Sequence, residues 1–441
     1  MTTTRAQYAL IFLALFVPYT YFNHSDGWNQ GVRLAELHAL TLKGTLRIDD
    51  YLDYTGDRAL IAGHYYSEKA PAMALAALPS FAITVWTQQM LGVDPDGAPG
   101  RRVSEWIATA GSVGLIAALG GVAFFAMLRA RFDALTSLLA TFGVFLGSLT
   151  LPYATALFSH AGTIGLLAIA LWGTLSHRSR EVMAGMAAGL AVASEYPAIL
   201  PGAAIALYLG SRDLTRMWRF GLATLPAAAL ILLNNYAISG SLFQLSYGSN
   251  PLFPELTAVT SYGFTMPEAG AMRAVLWGEY RGLFFWSPVL VMALPGAIQM
   301  FRRDRRTALL VVGAFALVLL QVAAFYTWFG GNAIGPRYLA PALPFLGLAA
   351  AYGINRFPEI GLIATLASIG LMGMVTAIAI DPPADVLTPL QSFYLVRIDQ
   401  HRFAQNLGTL IGLPLSLSLA IPIIFPAIAA WRLLKEPRGR A

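Results

Sequence analysis

Residues 115–146 read LIAALGGVAFFAMLRARFDALTSLLATFGVFL, two apolar runs separated by a short break that carries Arg129 and Arg131. About 20 apolar residues in helical conformation cross the hydrocarbon core of a bilayer, and arginines between two such runs are typical of a cytoplasmic turn. The composition extends the pattern to the whole chain, because 57% of the 441 residues are hydrophobic and 12% are charged. A soluble domain carries roughly 25% charged residues, so the sequence predicts an integral membrane protein.

Apolar runs long enough to form membrane helices recur along the chain. Two of them are ambiguous: the run 70–92 contains Pro71 and Pro79, and the run 182–210 is broken by Glu195-Tyr196-Pro197. We interpret the first as a helix along the outer membrane surface and the second as a hairpin of two short helices. The runs are 8–22, 70–92, 104–128, 133–152, 160–176, 182–210, 218–236, 285–301, 307–327, 338–353, 358–379 and 407–431.

The distribution of arginine favours that interpretation, because the opposite choice would place Arg129 and Arg131 outside, against the positive-inside rule. The short outer connections 153–159, 195–197 and 328–336 contain no Lys or Arg. The sequence therefore predicts an all-α polytopic membrane protein of about 12 membrane-embedded helices, with one outer juxtamembrane helix and both termini in the cytoplasm. The cytoplasmic connections then hold Arg129, Arg131, Arg178, Arg180, Arg212, Arg216, Arg219, Arg302, Arg303, Arg305, Arg306 and Arg356.

Residues 1–441 are predicted to form a single transmembrane domain, with sizeable outer segments at 23–103, 237–284 and 380–405. Long loops in a compact protein are usually functional. The chain has no cysteine, which excludes disulfides and thiolate metal sites. The histidines show no ligand spacing, and we predict no metal and no cofactor, with Asp or Glu sites for Mg²⁺ or Mn²⁺ as the open alternative. The net charge of +6 is explained by the helix-flanking clusters and does not indicate nucleic-acid binding.

The first outer segment, 23–103, carries most of the polar residues that suggest chemistry. It contains NHSDGWNQ at 23–30, an amphipathic stretch at 31–43, the acids Asp49 and Asp50, and GHYYSEKAP at 63–71. Arg33 and Lys69 thus lie at the lipid boundary, where the phosphate of a lipid would also lie. The alternative is a solvated loop whose charges have no specific role.

The order of motifs in this segment resembles the first periplasmic loop of the GT-C-fold glycosyltransferases. The matching pieces are RLAEL at 33–37, KGTL at 43–46 and YYSEKAP at 65–71. Members such as the aminoarabinose transferases of lipid A and the protein O-mannosyltransferases use polyprenyl-phosphate-linked sugars. In them an Asp after helix one precedes an Arg-bearing helix, and a Lys-Pro-Pro-like motif supplies a phosphate-binding Lys. Arg33 and Lys69 match these two basic positions.

Four later segments are similar to the same enzymes: 185–209 around Glu195-Tyr196-Pro197, Asn234-Asn235-Tyr236 with Tyr247, RGLF at 281–284, and GPRYL at 335–339. The chain departs from the pattern in two places. Gln30 stands three residues before Arg33, where the acid often lies, and the Lys-Pro-Pro motif is Lys69-Ala70-Pro71.

The resemblance implies single-displacement inversion, in which a carboxylate takes the proton of the acceptor hydroxyl and cations hold the departing phosphate. The predicted base is Asp26, which follows helix one, with Asp49 and Asp50 as alternatives. The predicted donor-phosphate ligands are Lys69, Arg33, Arg337 and Arg281, although Arg281 and Arg337 could equally flank helices. The predicted substrate-binding residues are Gln30, Tyr65, Tyr66, Glu195, Asn235 and Tyr247.

The resulting hypothesis is a glycosyltransferase of a bacterial inner membrane with a periplasmic active site. Its donor is a polyprenyl-phosphate-linked sugar, and its acceptor is a lipid-linked glycan, an envelope polysaccharide or a protein. Two alternatives stay open. One is a transporter or flippase of a lipid-linked glycan, which needs a polar path across the bilayer. The other is an inactive GT-C-like assembly partner.

Overall fold

The computed structural model describes residues 5–25, 27–176, 180–253 and 261–435. Asp26, the predicted base, lies outside the described residues. The described α-helices are α1 (Arg5–Tyr21), α2 (Trp28–Lys43), α3 (Ala72–Met90), α4 (Ala98–Thr109), α5 (Leu115–Arg129), α6 (Ala134–Phe145), α7 (Thr150–Ala154), α8 (Ser159–Leu175), α9 (Glu181–Ser194), α10 (Ile199–Gly210), α11 (Leu214–Ser239), α12 (Ala269–Leu276), α13 (Leu283–Trp286), α14 (Ala293–Arg303), α15 (Arg305–Ala323), α16 (Leu343–Arg356), α17 (Pro358–Ile378), α18 (Val396–Asp399), α19 (Leu407–Leu410) and α20 (Leu415–Lys435).

The helices confirm the predicted all-α polytopic class. A π-helical turn at Ala110–Gly114 joins α4 and α5 into one helix. Within the described residues, five helices are long and apolar enough to cross a membrane: Ala98–Arg129, Leu214–Ser239, Arg305–Ala323, Pro358–Ile378 and Leu415–Lys435. Shorter apolar helices in the described part of the chain are Ala134–Phe145, Ser159–Leu175, Glu181–Ser194 and Tyr196–Gly210.

The run 182–210 forms two helices, as predicted. α9 ends at Ser194, α10 begins at Ile199, and Glu195 between them is extended with φ −150° and ψ 114°. Pro197 lacks the N–H that a continuous helix requires. The run 70–92 forms the separate helix α3. Its position along the outer membrane surface stays a prediction.

A β-hairpin within segment 23–103 was not predicted. Strands β1 (Arg58–Ile61) and β2 (His64–Ser67) pair antiparallel, with Arg58 opposite Ser67 and Ile61 opposite His64. The two-residue connection Ala62-Gly63 has φ values of 49° and 81°, the left-handed conformations of a tight hairpin turn. The hairpin therefore brings the residues just before β1 next to the residues just after β2.

Helix α2 is more deeply buried than an amphipathic surface helix would be. Every residue from 30 to 39 is buried, including Arg33 and Glu36. The loop at Tyr54–Gly56 is one reason, because it presses against the start of α2. A Cβ on Gly31 would lie 2.1 Å from the carbonyl oxygen of Tyr54. The charged residues of α2 thus belong to the interior.

The arginine-rich connections meet at one end of the bundle. Arg131 donates to the carbonyl oxygen of Leu175 at 2.7 Å, and Arg216 pairs with Glu181. Arg212 lies 3.9 Å from Asp304. These contacts join the connections that follow α5, α8, α10 and α14. This convergence is what a common cytoplasmic face requires. The assignment of this face to the cytoplasm stays a prediction.

Candidate functional site

The β-hairpin assembles an ion-paired group around Lys69. Because Arg58 is paired with Ser67, Asp57 and Lys69 come together across twelve residues of sequence. Lys69 Nζ lies 2.9 Å from Asp57 Oδ2 and 2.6 Å from Glu68 Oε1. Burial lowers the pKa of Lys69, but attraction to Asp57 and Glu68 outweighs burial and raises the pKa overall. Lys69 is therefore a cation shared by two carboxylates.

Asn250 ties a second segment to this group. Its side-chain nitrogen donates to Glu68 Oε2 at 2.8 Å and to the carbonyl oxygen of Gly56 at 3.1 Å. Asn250 is 4% exposed, so these hydrogen bonds are shielded from water. The predicted outer segments 23–103 and 237–284 are thus joined at the candidate site.

Arg33 connects α2 to the helices behind it. Its Nη2 donates to Ser159 Oγ at 2.9 Å, and Nη1 donates to the carbonyl oxygen of Asn29 at 2.8 Å. Ser159 Oγ donates to Glu195 Oε1 at 2.8 Å, and the same carboxylate pairs with His160. The break between α9 and α10 therefore places Glu195 where it fixes the serine that holds Arg33.

Glu36 lies one helical turn from Arg33 on α2, and it is 4% exposed. Burial raises its pKa to about 7, while a hydrogen bond with Ser67 and attraction to Arg33 act in the opposite direction. A carboxyl group that titrates near neutral pH next to a buried arginine is a feature more frequent in functional sites than elsewhere.

Arg337 is a partly buried cation that lies among aromatic rings. Its guanidinium group faces the rings of Phe158 and Tyr338, at 5.8 and 5.1 Å from their centroids. No described carboxylate forms an ion pair with it. Its Nε atom is buried without a hydrogen-bond partner, as is the Nε of Arg33. Buried polar groups are normally paired, so two orphaned guanidinium N–H groups mark a place for an anion.

The electrostatic coupling shows that these groups share one region. Burial lowers the pKa of Arg33, and the like charge of Arg337 lowers it further. The carboxylates of Glu195, Glu36 and Asp57 act in the opposite direction. For Arg337, burial also acts to lower the pKa, but nearby Tyr338, Tyr153 and Asp57 raise it overall. We call this set the charge cluster. It comprises Arg33, Lys69, Arg337, Glu36, Asp57, Glu68 and Glu195.

Some of the predicted site residues belong to the cluster or adjoin it. Arg33, Lys69, Arg337 and Glu195 are members. Burial raises the pKa of Tyr247, which interacts electrostatically with Arg337 and Glu68. Gln30 is 1% exposed and lies one turn before Arg33, where its amide donates to the carbonyl oxygen of His24 at 3.2 Å.

Other predicted residues have different partners. Arg281 donates to the carbonyl oxygens of Phe329, Tyr280 and Gly331 at 2.8–2.9 Å, so it organises the loop that leads to Arg337. Asn235 donates to the carbonyl oxygen of Leu242 at 3.1 Å, which fixes the chain beyond α11.

Of the two alternative bases, Asp49 lies beside the turn of the β-hairpin and Asp50 lies on the surface. Asp49 accepts hydrogen bonds from His64 Nδ1 at 2.8 Å and from the Tyr65 N–H at 2.7 Å. Asp50 forms a surface ion pair with Lys43 at 2.5 Å, and its side chain is 65% exposed. Tyr65 stacks on Arg58, and Tyr66 packs in a small apolar group with Ala59 and Ile61. The structure does not bring these residues to the charge cluster.

Sequence reasoning missed Asp57, Glu68 and Glu36 as site residues. The signal for Asp57 was Ala62-Gly63 between two short runs of β-forming residues, a spacing that indicates a hairpin. The signal for Glu36 was its spacing of three from Arg33, which puts both side chains on one helix face. Among the described residues, no three His, Asp or Glu side chains are grouped as metal ligands.

The helices and the charge cluster together define a polytopic membrane protein. Its charged site contacts the start of α8 at Ser159, opposite the arginine-rich connections that contact the end of α8 at Leu175. No protein-family model matches the sequence, and no curated protein matches it significantly. Among solved structures, the chain is similar to ArnT from Cupriavidus metallidurans, a GT-C glycosyltransferase.

The crystal structure of ArnT bound to undecaprenyl phosphate aligns over 97% of this chain and 74% of that chain, with a TM-score of 0.50 and 17% sequence identity. The apo structure aligns over 97% of this chain and 76% of that chain, with a TM-score of 0.52 and 18% identity. Identity this low shows the fold alone. The chain therefore has a GT-C-like fold.

Proposed function

We propose that the protein is an inverting glycosyltransferase. It moves a sugar from a polyprenyl-phosphate carrier to a lipid-linked glycan, an envelope polysaccharide or a protein, on the periplasmic face of a bacterial inner membrane. The shared fold supports this proposal, because ArnT was crystallised with undecaprenyl phosphate. The charge cluster supports it independently.

The observation that carries the proposal is the pair of unpartnered Nε–H groups of Arg33 and Arg337. Arg33 and Arg337 each have a buried Nε atom without a hydrogen-bond partner. The two positive charges also repel each other. An anion that accepts a hydrogen bond from both Nε groups would satisfy them and offset the repulsion between the two cations. A phosphate has enough oxygens to bind both guanidinium groups and Lys69 at the same time.

The reaction then follows from where charge develops. The acceptor oxygen attacks the anomeric carbon while the bond from that carbon to the phosphate oxygen breaks. The phosphate keeps the electron pair, and Arg33, Arg337 and Lys69 stabilise it. A carboxylate takes the proton of the acceptor hydroxyl. We assign this role to Asp26, which stands in the sequence two residues before the first residue of the helix that carries Arg33.

The chain of the carrier needs an apolar path that begins near the phosphate. A groove of about 690 Å³ runs along α8 and α9. Apolar side chains, among them Leu166, Met186 and Leu190, line most of it, and the charged residues Arg180, Glu181 and Arg219 complete the lining. Leu166 lies seven residues beyond Ser159, which is about 10 Å along a helix. We assign the prenyl chain to this groove.

A transfer assay with a defined polyprenyl-phosphate sugar and purified protein tests the proposal. Arg337→Gln should weaken donor binding about 10–100-fold, because it removes hydrogen bonds to a charged group. Arg47→Gln, at an exposed arginine of the same predicted outer segment, is the matched control and should bind normally. Wild-type protein that neither binds nor turns over such donors would refute the function.

The same assay tests the base. Asp26→Asn should lower turnover roughly 10²–10⁴-fold, the usual contribution of a positioned base, while donor affinity stays within a few-fold of wild type. Asp49→Asn and Asp50→Asn should stay active. An active Asp26→Asn enzyme would end the assignment of Asp26 without removing the phosphate site.

A further inference from the structure

Asp57 occupies an unusual position among the cations of the cluster. Its Oδ2 atom contacts Lys69 Nζ at 2.9 Å, and its charge favours the protonated forms of both Arg33 and Arg337. Asp57 thus acts on all three cations to which the proposed function assigns the donor phosphate. A carboxylate therefore lies within the proposed phosphate site.

Lys69 does not need two carboxylates for charge balance, because Glu68 alone neutralises it at 2.6 Å. The two acids also differ in how firmly they are held. The second oxygen of Glu68 accepts from buried Asn250 at 2.8 Å. No hydrogen bond among the described residues reaches Oδ1 of Asp57, and its side chain is 16% exposed. Asp57 is therefore the acid that can leave Lys69.

We propose that Asp57 is an intramolecular substitute for the donor phosphate, which occupies the anion site of the empty protein and leaves Lys69 when the phosphate binds. This inference rests on the proposed function for the identity of the ligand. The exchange conserves charge, because a sugar phosphodiester and a carboxylate each carry one negative charge.

The exchange also gives Asp57 a role in specificity and in product release. A weakly held anion displaces Asp57 only at high concentration, so tight binding requires additional contacts such as those of the prenyl chain. After transfer, the carrier becomes a phosphate monoester with a charge of about −1.5 to −2 at neutral pH, and it would bind the three cations more tightly than the donor. The return of Asp57 to Lys69 then favours its release.

The first test uses inorganic phosphate as the probe and the thermal unfolding temperature of the full-length purified protein as the readout. Phosphate should stabilise Asp57→Asn at concentrations about tenfold lower than those needed for wild type, since a competing charged hydrogen bond is gone. Asp50→Asn is the matched control, because Asp50 also pairs with a lysine but lies outside the charge cluster; its response should stay like that of wild type. The double variant Asp57→Asn/Lys69→Gln should lose the response.

Equal responses of wild type and Asp57→Asn would overturn the inference, even if Asp57→Asn is less stable without phosphate. A second variant, Asp57→Ser, removes the charge with a smaller side chain and should respond as Asp57→Asn does. If both variants respond but wild type never transfers a sugar from any polyprenyl phosphate, the anion exchange stands and the proposed function fails.

Product inhibition gives a second readout that a purely structural role of Asp57 would not change. Polyprenyl phosphate should inhibit Asp57→Asn at concentrations about tenfold lower than those that inhibit wild type, and kcat should fall more than kcat/KM as product release slows. An unchanged inhibition constant in a folded Asp57→Asn enzyme would contradict the inference.

Discussion

Glu36 is the buried acid of the charge cluster whose protonation should be visible in stability. Its pKa rises from 4.5 to about 7 in the folded protein, mainly through burial. The contribution of protonated Glu36 to the free energy of unfolding is fully present below pH 4.5, because the folded and unfolded states then both hold the proton. It is lost as pH rises to about 7, because the unfolded state releases the proton first. At about 1.4 kcal/mol per pKa unit, this amounts to roughly 3 kcal/mol.

We therefore predict that wild type loses stability relative to Glu36→Gln between pH 5 and pH 8, since glutamine mimics the neutral acid at every pH. Thermal unfolding of both proteins in the same detergent measures the difference. Glu359→Gln, at an exposed acid, is the control and should follow wild type. A constant difference between wild type and Glu36→Gln across this range would show that Glu36 stays ionised.

Arg281 and Arg337 show what residue patterns alone leave undecided. Both are predicted phosphate ligands that could equally flank helices. Arg281 is buried, and Arg337 is partly buried. The carbonyl oxygens of Phe329 and Gly331, which fold back from 48 and 50 residues away, satisfy Arg281. Arg337 finds no such partner for its Nε. The difference depends on the path of a distant loop, which local sequence does not specify.

At the scale of elements, close helix packing fixes the positions from which the cluster residues project. α5 and α8 cross at glycines, and a Cβ on Gly120 would lie 2.2 Å from the Cα of Gly165. Small residues permit such approach between membrane helices. Since α8 begins at Ser159, this crossing also positions the serine that holds Arg33.

We predict that Gly120→Ala destabilises the protein by about 1–3 kcal/mol, the usual cost of overpacking a tight contact. Gly221 in α11 is the matched control, because a Cβ there meets nothing within 4 Å. Gly221→Ala should leave stability unchanged or raise it by up to about 1 kcal/mol, because alanine favours helix. Thermal unfolding of the two variants decides the point: equal unfolding temperatures would mean that the α5–α8 crossing is looser than described.

The elements also show which parts of the site the sequence could predict. Periodicity and proline placement located the helices and the α9–α10 break, because helix formation depends on local composition. The hairpin β1–β2 was missed, since its strands have four residues each and lie in a polar segment. Missing the hairpin meant missing Asp57, because only strand pairing brings Asp57 to Lys69.

At the scale of the whole molecule, composition and arginine distribution were enough to predict the class of fold. A chain with so few charges must satisfy its backbone within helices when it lies in lipid. The charge cluster was harder to predict, because it gathers residues from positions 33 to 337. Its members meet through tertiary packing, and a single sequence carries no direct signal of that packing.

The orientation of the molecule in the membrane is the prediction with the widest consequences, because the proposed periplasmic site depends on it. The helix Ala98–Arg129 has 32 residues, or about 48 Å at about 1.5 Å per residue. That length exceeds the roughly 30 Å hydrocarbon core, so residues 97 and 130 should emerge on opposite sides. Helix α3 is predicted to stay outside, which would leave residues 25 and 97 on the same side.

Because the chain has no cysteine, single cysteines at these positions can be labelled without background. Ser25→Cys and Gly97→Cys should react with a membrane-impermeant thiol reagent in intact cells. Ala130→Cys, which lies beside Arg129 and Arg131, should react only after the membrane is opened. If residues 25 and 97 label from opposite sides, α3 crosses the membrane and the predicted topology is wrong. If residues 97 and 130 label from the same side, the helix Ala98–Arg129 does not span the membrane, and the predicted topology that places the site in the periplasm is wrong.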